Sequence, residues 1–161
     1  MITSGPLLLL SVNGHDVGET IQASLGDSLE IRVSARSRRP LGRLEIVSND
    51  GPIASIHTSQ KKATLLHKIT ADEGRWFCAR CSRSDLQDPM EEPDIAHTSA
   101  IYVHINGAPP LRKESVQRWR ENLRQHKERV QRYGRFSSPD QLQEVLHHIQ
   151  SAMDAYKALE E

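Results

Sequence analysis

The chain has 161 residues, of which 37% are apolar and only 4% aromatic, with a mean hydropathy of -0.58. That length accommodates one domain, or one domain with an appendage, and its recurrent Leu, Ile and Val argue against disorder. Its 21 basic residues balance 21 acidic ones, which excludes a global pull toward nucleic acid or an anionic membrane.

The first 106 residues predict short strands separated by turn signals, the spacing of a sandwich. Residues 7–12 open with four leucines, a run expected to be buried on both faces. It is too short and too weakly flanked for an export signal, and no stretch approaches the roughly 20 apolar residues of a membrane span. Asn13-Gly14 marks a tight turn before a strand over 17–21. Leu29, Ile31, Val33 and Ala35 alternate with Glu30, Arg32 and Ser34, so one face is expected to be buried and the other wet. A basic loop, 36–40, precedes Leu44 and Ile46, which alternate with Arg43 and Glu45. Asn49-Asp50-Gly51 then turns the chain into a hairpin strand over 53–56. Residues 63–69 form another strand, ended by Asp72-Glu73-Gly74. Trp76-Phe77-Cys78-Ala79 has the pattern of a central strand, with Trp76 in the core. Residues 84–98 are acidic and proline-bearing and are expected to form a long exposed loop. Ile101, Val103 and Ile105 close the sheet. Strands without crossover helices predict an antiparallel, immunoglobulin-like sandwich over residues 4–107.

Strand alternation stops at Asn106-Gly107-Ala108-Pro109-Pro110, and two helical patterns occupy 111–160. Val116, Trp119, Leu123, Val130 and Tyr133 fall on one stripe of the first helix, which Gly134 is placed to end. Ser138-Pro139-Asp140-Gln141 is a start signal with a Ser cap, Pro at the first helical position and Gln three residues after the cap. Leu142, Val145, Leu146, Ile149, Met153 and Tyr156 then supply the second stripe. A short link predicts an antiparallel hairpin, packed on or beside the sandwich. Charge is segregated along the chain: residues 1–110 carry 11 basic and 13 acidic groups, 111–135 carry 9 and 3, and 136–161 carry 1 and 5. The basic helix is expected to pair with the acidic one across their flanks.

The motifs of self-contained catalysis are missing from the sequence. None of the eight histidines forms an H-x-H pair, and there is no H-E-x-x-H, phosphate loop or G-x-S-x-G elbow. Cys78 and Cys81 lie three residues apart in a strand pattern. That places their Cα atoms about 10 Å apart, beyond the ~7 Å that a disulfide tolerates, and on opposite faces. No second pair is present to complete a zinc site with them. No catalytic residue, metal or cofactor is therefore expected. His97, just before the last strand, reads as a half-buried histidine bonded to local backbone, or as one reaching a neighbouring domain. With Arg118, Arg124 and Arg132 of the basic helix it makes up the set that could face a partner. Glutamates interleave with those arginines, so nucleic acid is not expected to be that partner; the alternative reading is a nucleic-acid or anion-binding module that uses the basic helix over 112–135.

The order of these elements carries a resemblance. TSGPLLLLSVNGHDVGETI, then ARSRRPLGRLEIVSNDGPIA, then Gly74-Arg75-Trp76-Phe77 through Arg80, and finally Ala96-His97-Thr98-Ser99 with Ile101-Tyr102-Val103, resemble the C-terminal, non-catalytic region of CehA/McbA-type metallohydrolases. These belong to the PHP (polymerase and histidinol phosphatase) superfamily. The family commonly has Pro where Ala100 stands, and the two terminal helices match more loosely. The resemblance implies an accessory or interaction module beside a metal-dependent hydrolase domain, or a separately encoded subunit completing one in trans. It carries over no catalytic residue, because the family's metal ligands would lie upstream of the matched segment.

Overall fold

The computed structural model describes residues 2–83 and 94–159. The first ten residues of the expected loop over 84–98 lie outside that range. Contacts divide the chain into two compact units, Met1–Pro110 and Leu111–Glu161.

The first unit is a two-sheet, mainly antiparallel sandwich of immunoglobulin-like character. Its described strands are β1 (Ile2–Thr3), β2 (Leu7–Val12), β3 (His15–Asp16), β4 (Thr20–Ala23), β5 (Ser28–Arg36), β6 (Arg43–Ser48), β7 (Gly51–His57), β8 (Lys62–Thr70), β9 (Arg75–Ser82), β10 (Ile95–His97) and β11 (Ile101–Ile105). One sheet runs β3-β2-β5-β8. In the other, β9 is central: β6 lies on one side with β7 beyond it, and β10 and β11 follow one another along the opposite side. One pairing departs from the expected antiparallel pattern, since β4 runs parallel to β11. The turn after β3 carries the chain across from the β2 sheet to the edge of the β9 sheet, so β4 arrives pointing along β11.

Period-two alternation builds the core. Leu8, Leu10 and Val12 of β2, and Leu29, Ile31, Val33 and Ala35 of β5, face Leu44 and Ile46 of β6, Phe77, Ala79 and Cys81 of β9, and Ile101 and Val103 of β11. Asn13 and Gly14 have φ of 49° and 83°, the two left-handed residues of a hairpin turn whose twist matches its strands. Asn106 and Gly107 repeat this at 50° and 83°. There the amide and carbonyl of Ile105 and Ala108 bond reciprocally at 3.1 and 2.9 Å.

Four strand expectations need correction. Leu7 and Leu9 are 47% and 58% exposed, so the leucine run is buried on one face only; β2 lies in an outer layer, and none of the described residues of its own unit covers those two side chains. The strand expected over 17–21 begins only at Thr20, as β4; Val17, Gly18 and Glu19 form the crossing between sheets that follows β3. Ile95–His97 is a strand, not loop, because its backbone pairs with Arg80–Ser82. Trp76 lies on the outer side of β9, opposite Tyr102, and is only partly buried, while Phe77 takes the core position.

The second unit is a helical hairpin, α1 (Lys113–Tyr133) and α2 (Pro139–Ala158). Lys127 bonds Gln150, and Gln117 to Arg124 lie beside Met153, so the helices run in opposite directions. Ser138 caps α2 by accepting from the Gln141 amide at 3.2 Å, and Gln141 reaches back to the Ser137 amide at 3.0 Å. The α2 stripe is as expected, with Ile149 buried and its fellows partly so. The α1 stripe is rotated. Val116 is buried and Leu123, Lys127 and Val130 partly so, but Trp119 and Tyr133 are 52% and 66% exposed. At 3.6 residues per turn they fall well to one side of the Val116–Leu123 line. Gly134 ends α1 in extended backbone (φ -61°), not in a left-handed cap.

Candidate interaction surface

The β2-β5-β8 sheet turns an unusual outer face to solvent. Register places its side chains in rows across the strands: Leu7, Arg36 and Lys62; then Leu9, Ser34 and Thr64; then Ser11, Arg32 and Leu66. Short Ser34 and Thr64 between longer neighbours leave a depression. A hollow of about 510 Å³ is lined by Leu7, Leu9, Ser34, Arg36, Lys62 and Thr64 among others. A second, of about 440 Å³, lies on the other side of Leu9, toward Asp16, Val17, Arg32 and Thr98. Leu9 therefore stands as a ridge between two depressions. Leu66, 48% exposed, adds an apolar side chain on β8, and Arg32 and Arg36 on the intervening β5 and Lys62 on β8 supply cations. One nearby cation is already engaged, since Lys68 pairs with Glu30 at 3.0 Å. Scattered exposed leucines are ordinary, but contiguous ones beside a concavity mark contact surfaces.

The β9 sheet uses its outer-face charges structurally. Glu45 is 2% exposed, although its position in β6 alternates with core residues and was expected to be wet. Arg80 Nε and Nη2 each approach its Oε2 at 2.7 Å. Arg43 Nε lies 2.8 Å from Oε1, although no N–H is aimed at that oxygen. Two aliphatic arginine stems thus roof the carboxylate, which is how alternation failed here. Arg75, at the start of β9, gathers Asp50, Asp72 and Glu73 at 3.6, 3.0 and 3.2 Å. It holds the Asp72 carboxyl below its ordinary range chiefly by hydrogen bonding.

Of the residues expected to face a partner, His97 belongs to the first unit and Arg118, Arg124 and Arg132 to the second. His97 lies beside Arg80 on the outer side of β10, exposed, with Nδ1 3.1 Å from the Thr98 carbonyl oxygen. The backbone partner is the one anticipated, without the half-burial. Arg124 is clamped by Glu121 and Glu128 of its own helix. That contact, not a bond to α2, is where its charge is used, which corrects the expected cross-helix pairing at this position. It lowers the Glu121 carboxyl to about 2. A cross-helix hydrogen bond runs from Lys127 to the neutral Gln150, at 2.9 Å. Arg132 lies over the Tyr133 ring, 5.2 Å from its centre, and Arg118 is exposed. Cys78 and Cys81 are free thiols on opposite faces of β9, as their spacing required. Among the described residues, no three His, Cys, Asp or Glu side chains gather closely enough to hold a metal ion.

The shared outer face of Leu7, Leu9, Leu66 and the cations beside them escaped sequence reasoning. Alternation reveals which residues share a face, but it does not say whether a second layer covers that face.

No protein-family model matches this chain, and no curated protein does. Among solved structures it is similar to a fibronectin(III)-like module of Clostridium thermocellum CbhA, with 20% identity over 60% of this chain and 96% of that one, at a TM-score of 0.37. It is also similar to the CARDB domain of a Pyrococcus furiosus protein, with 11% identity over 62% and 95% of the two chains, at a TM-score of 0.40.

Proposed function

We propose that this chain is a non-catalytic accessory module that docks a protein partner through the outer face of the β2-β5-β8 sheet. The observation that carries the reading is the Leu9 ridge between two hollows, with exposed Leu7 beside it, Leu66 on β8 and the cations Arg32 and Arg36 on the strand between. Such a face sets apolar contact on β2 and β8 beside charge selection by Arg32 and Arg36 on the strand between them, two contributions that protein interfaces combine. Arg32, Arg36 and Lys62 favour a partner whose matching patch is acidic.

The resemblance to the C-terminal region of CehA/McbA-type metallohydrolases suggests a PHP-type catalytic domain as that partner, joined to this chain or working with it in trans. The residues that carry the resemblance have structural duties here. Thr98 continues the ladder where β10 gives way to β11: its amide donates to the Ala79 carbonyl at 3.0 Å, and its Oγ1 accepts from the Ala79 amide at 3.0 Å. Ala100 contributes its carbonyl to the Gly18 amide at 2.8 Å. A proline retains that carbonyl, so the departure from the family pattern keeps the bond.

The test is association with a PHP-type metallohydrolase encoded beside this chain, followed by sedimentation velocity on the purified proteins. A complex that forms with the wild type and is lost in Leu9→Glu and Leu66→Glu, both still folded by circular dichroism, is expected. A complex indifferent to both substitutions, or none at tens of micromolar, would overturn the reading.

A further inference from the structure

Helix α1 segregates its charges around the axis more sharply than its sequence suggests. At 3.6 residues per turn, Glu114, Glu121 and Glu128 recur every seventh residue and form one narrow stripe, with Arg124 clamped between the last two. Next around the helix comes a face with no carboxylate, formed by Arg118, Trp119, Asn122, His126, Arg129 and Tyr133. All six are exposed. Their order alternates cation and ring: Arg118 beside Trp119 near one end, His126 and Arg129 in the middle, and Tyr133 under the Arg132 guanidinium at the other. Trp119 and Tyr133 are about 21 Å apart along the axis at ~1.5 Å per residue.

We propose that this face binds single-stranded nucleic acid, with bases stacked on Trp119 and Tyr133 and phosphates along Arg118 and Arg129. Two observations select this occupant. Arg118 and Arg129, which have no carboxylate partner among the described residues, lie on the same face as the exposed rings, the combination that tracks a phosphate backbone while stacking its bases. A duplex hides its base faces, so it leaves the rings unused. The inference is independent of the sandwich surface and of the partner proposed for it.

The experiment is fluorescence anisotropy of labelled oligo-dT and a labelled duplex with the full chain, in about 50 mM salt and upward. Micromolar binding of the single strand is expected, tighter than that of the duplex. With two to three phosphates neutralised, log K should fall against log salt with a slope of about -1.4 to -2.1. Trp119→Ala should weaken binding roughly 5- to 100-fold, and Arg118→Gln with Arg129→Gln should weaken it and flatten the slope. Arg38→Gln with Lys61→Gln, on sandwich loops, should change nothing. Circular dichroism of each variant separates loss of binding from loss of fold. No binding at 50 mM salt would overturn the proposal. So would binding that Trp119→Ala leaves unchanged, or poly-glutamate competing as well as oligo-dT, which would indicate an acidic protein surface as the occupant.

Discussion

Thr98 shows how one side chain can stand in for backbone. Between β10 and β11 the pairing would lapse, yet Thr98 is only 4% exposed and bonds both polar groups of Ala79. Thr98→Val keeps the shape and removes the acceptor, leaving a buried amide unsatisfied at a cost of about 1–3 kcal/mol. Urea unfolding should show that loss with an unchanged slope, and a value near zero would mean that water replaces the hydroxyl. The two thiols invite a different measurement. Burial pushes both above the ordinary 9.0; Arg80 partly opposes this at Cys78, and Asp94 adds to it at Cys81. A group that holds its proton more tightly when folded contributes stability that is full below pH 9.0 and lost as pH rises through the window above it. Alkylation by iodoacetamide at pH 7.5 should therefore be slow at both, and slower at Cys81, which is 1% exposed. Rapid modification of Cys81 in the native protein would contradict the burial.

At the scale of elements, alternation and caps were legible and their exceptions have local causes. The β5 pattern, the Asn13-Gly14 turn, the hairpin at Gly51 and the Ser138 cap all stand where the sequence implies them. Glu45 does not, because neighbouring arginine stems bury what alternation leaves wet. Gly134 ends α1 for a reason other than the expected one. A Cβ at this position would lie 2.3 Å from the Phe136 ring and 2.4 Å from the Val130 carbonyl oxygen, so close approach requires glycine, not left-handed backbone. Gly134→Ala should destabilise the hairpin by about 1–3 kcal/mol through overpacking, and Gly134→Ala with Phe136→Ala should recover part of it. Equal thermal melts for wild type and Gly134→Ala would show that the ring moves aside freely.

For the whole molecule, the two units differ in how much core they own. The sandwich buries a continuous cluster from Leu8 to Ile105. Residues 1–110 expressed alone should unfold cooperatively and retain a β-type circular dichroism spectrum. Among the described residues of the hairpin, two apolar side chains are buried, Val116 and Ile149. At about 1.5–3 kcal/mol each, they are small beside an ordering cost of about 1 kcal/mol or more per residue. Residues 111–161 alone should therefore show reduced helicity that rises with added alcohol. Full helicity in plain buffer would mean that the partly buried stripes suffice.

Local rules reach the strands, the turns, the helix start at Ser138 and the opposite orientation of the two cysteines, because backbone sterics and the period of side-chain direction act between near neighbours in sequence. Tertiary structure decided the rest. Whether Leu7 and Leu9 are covered depends on how many layers the fold stacks above β2. Whether Glu45 is wet depends on which strand brings Arg80 alongside it. The parallel β4–β11 pair depends on where the chain crosses between sheets. Each joins residues far apart in sequence, and nothing in the composition or period of a single segment records that neighbour.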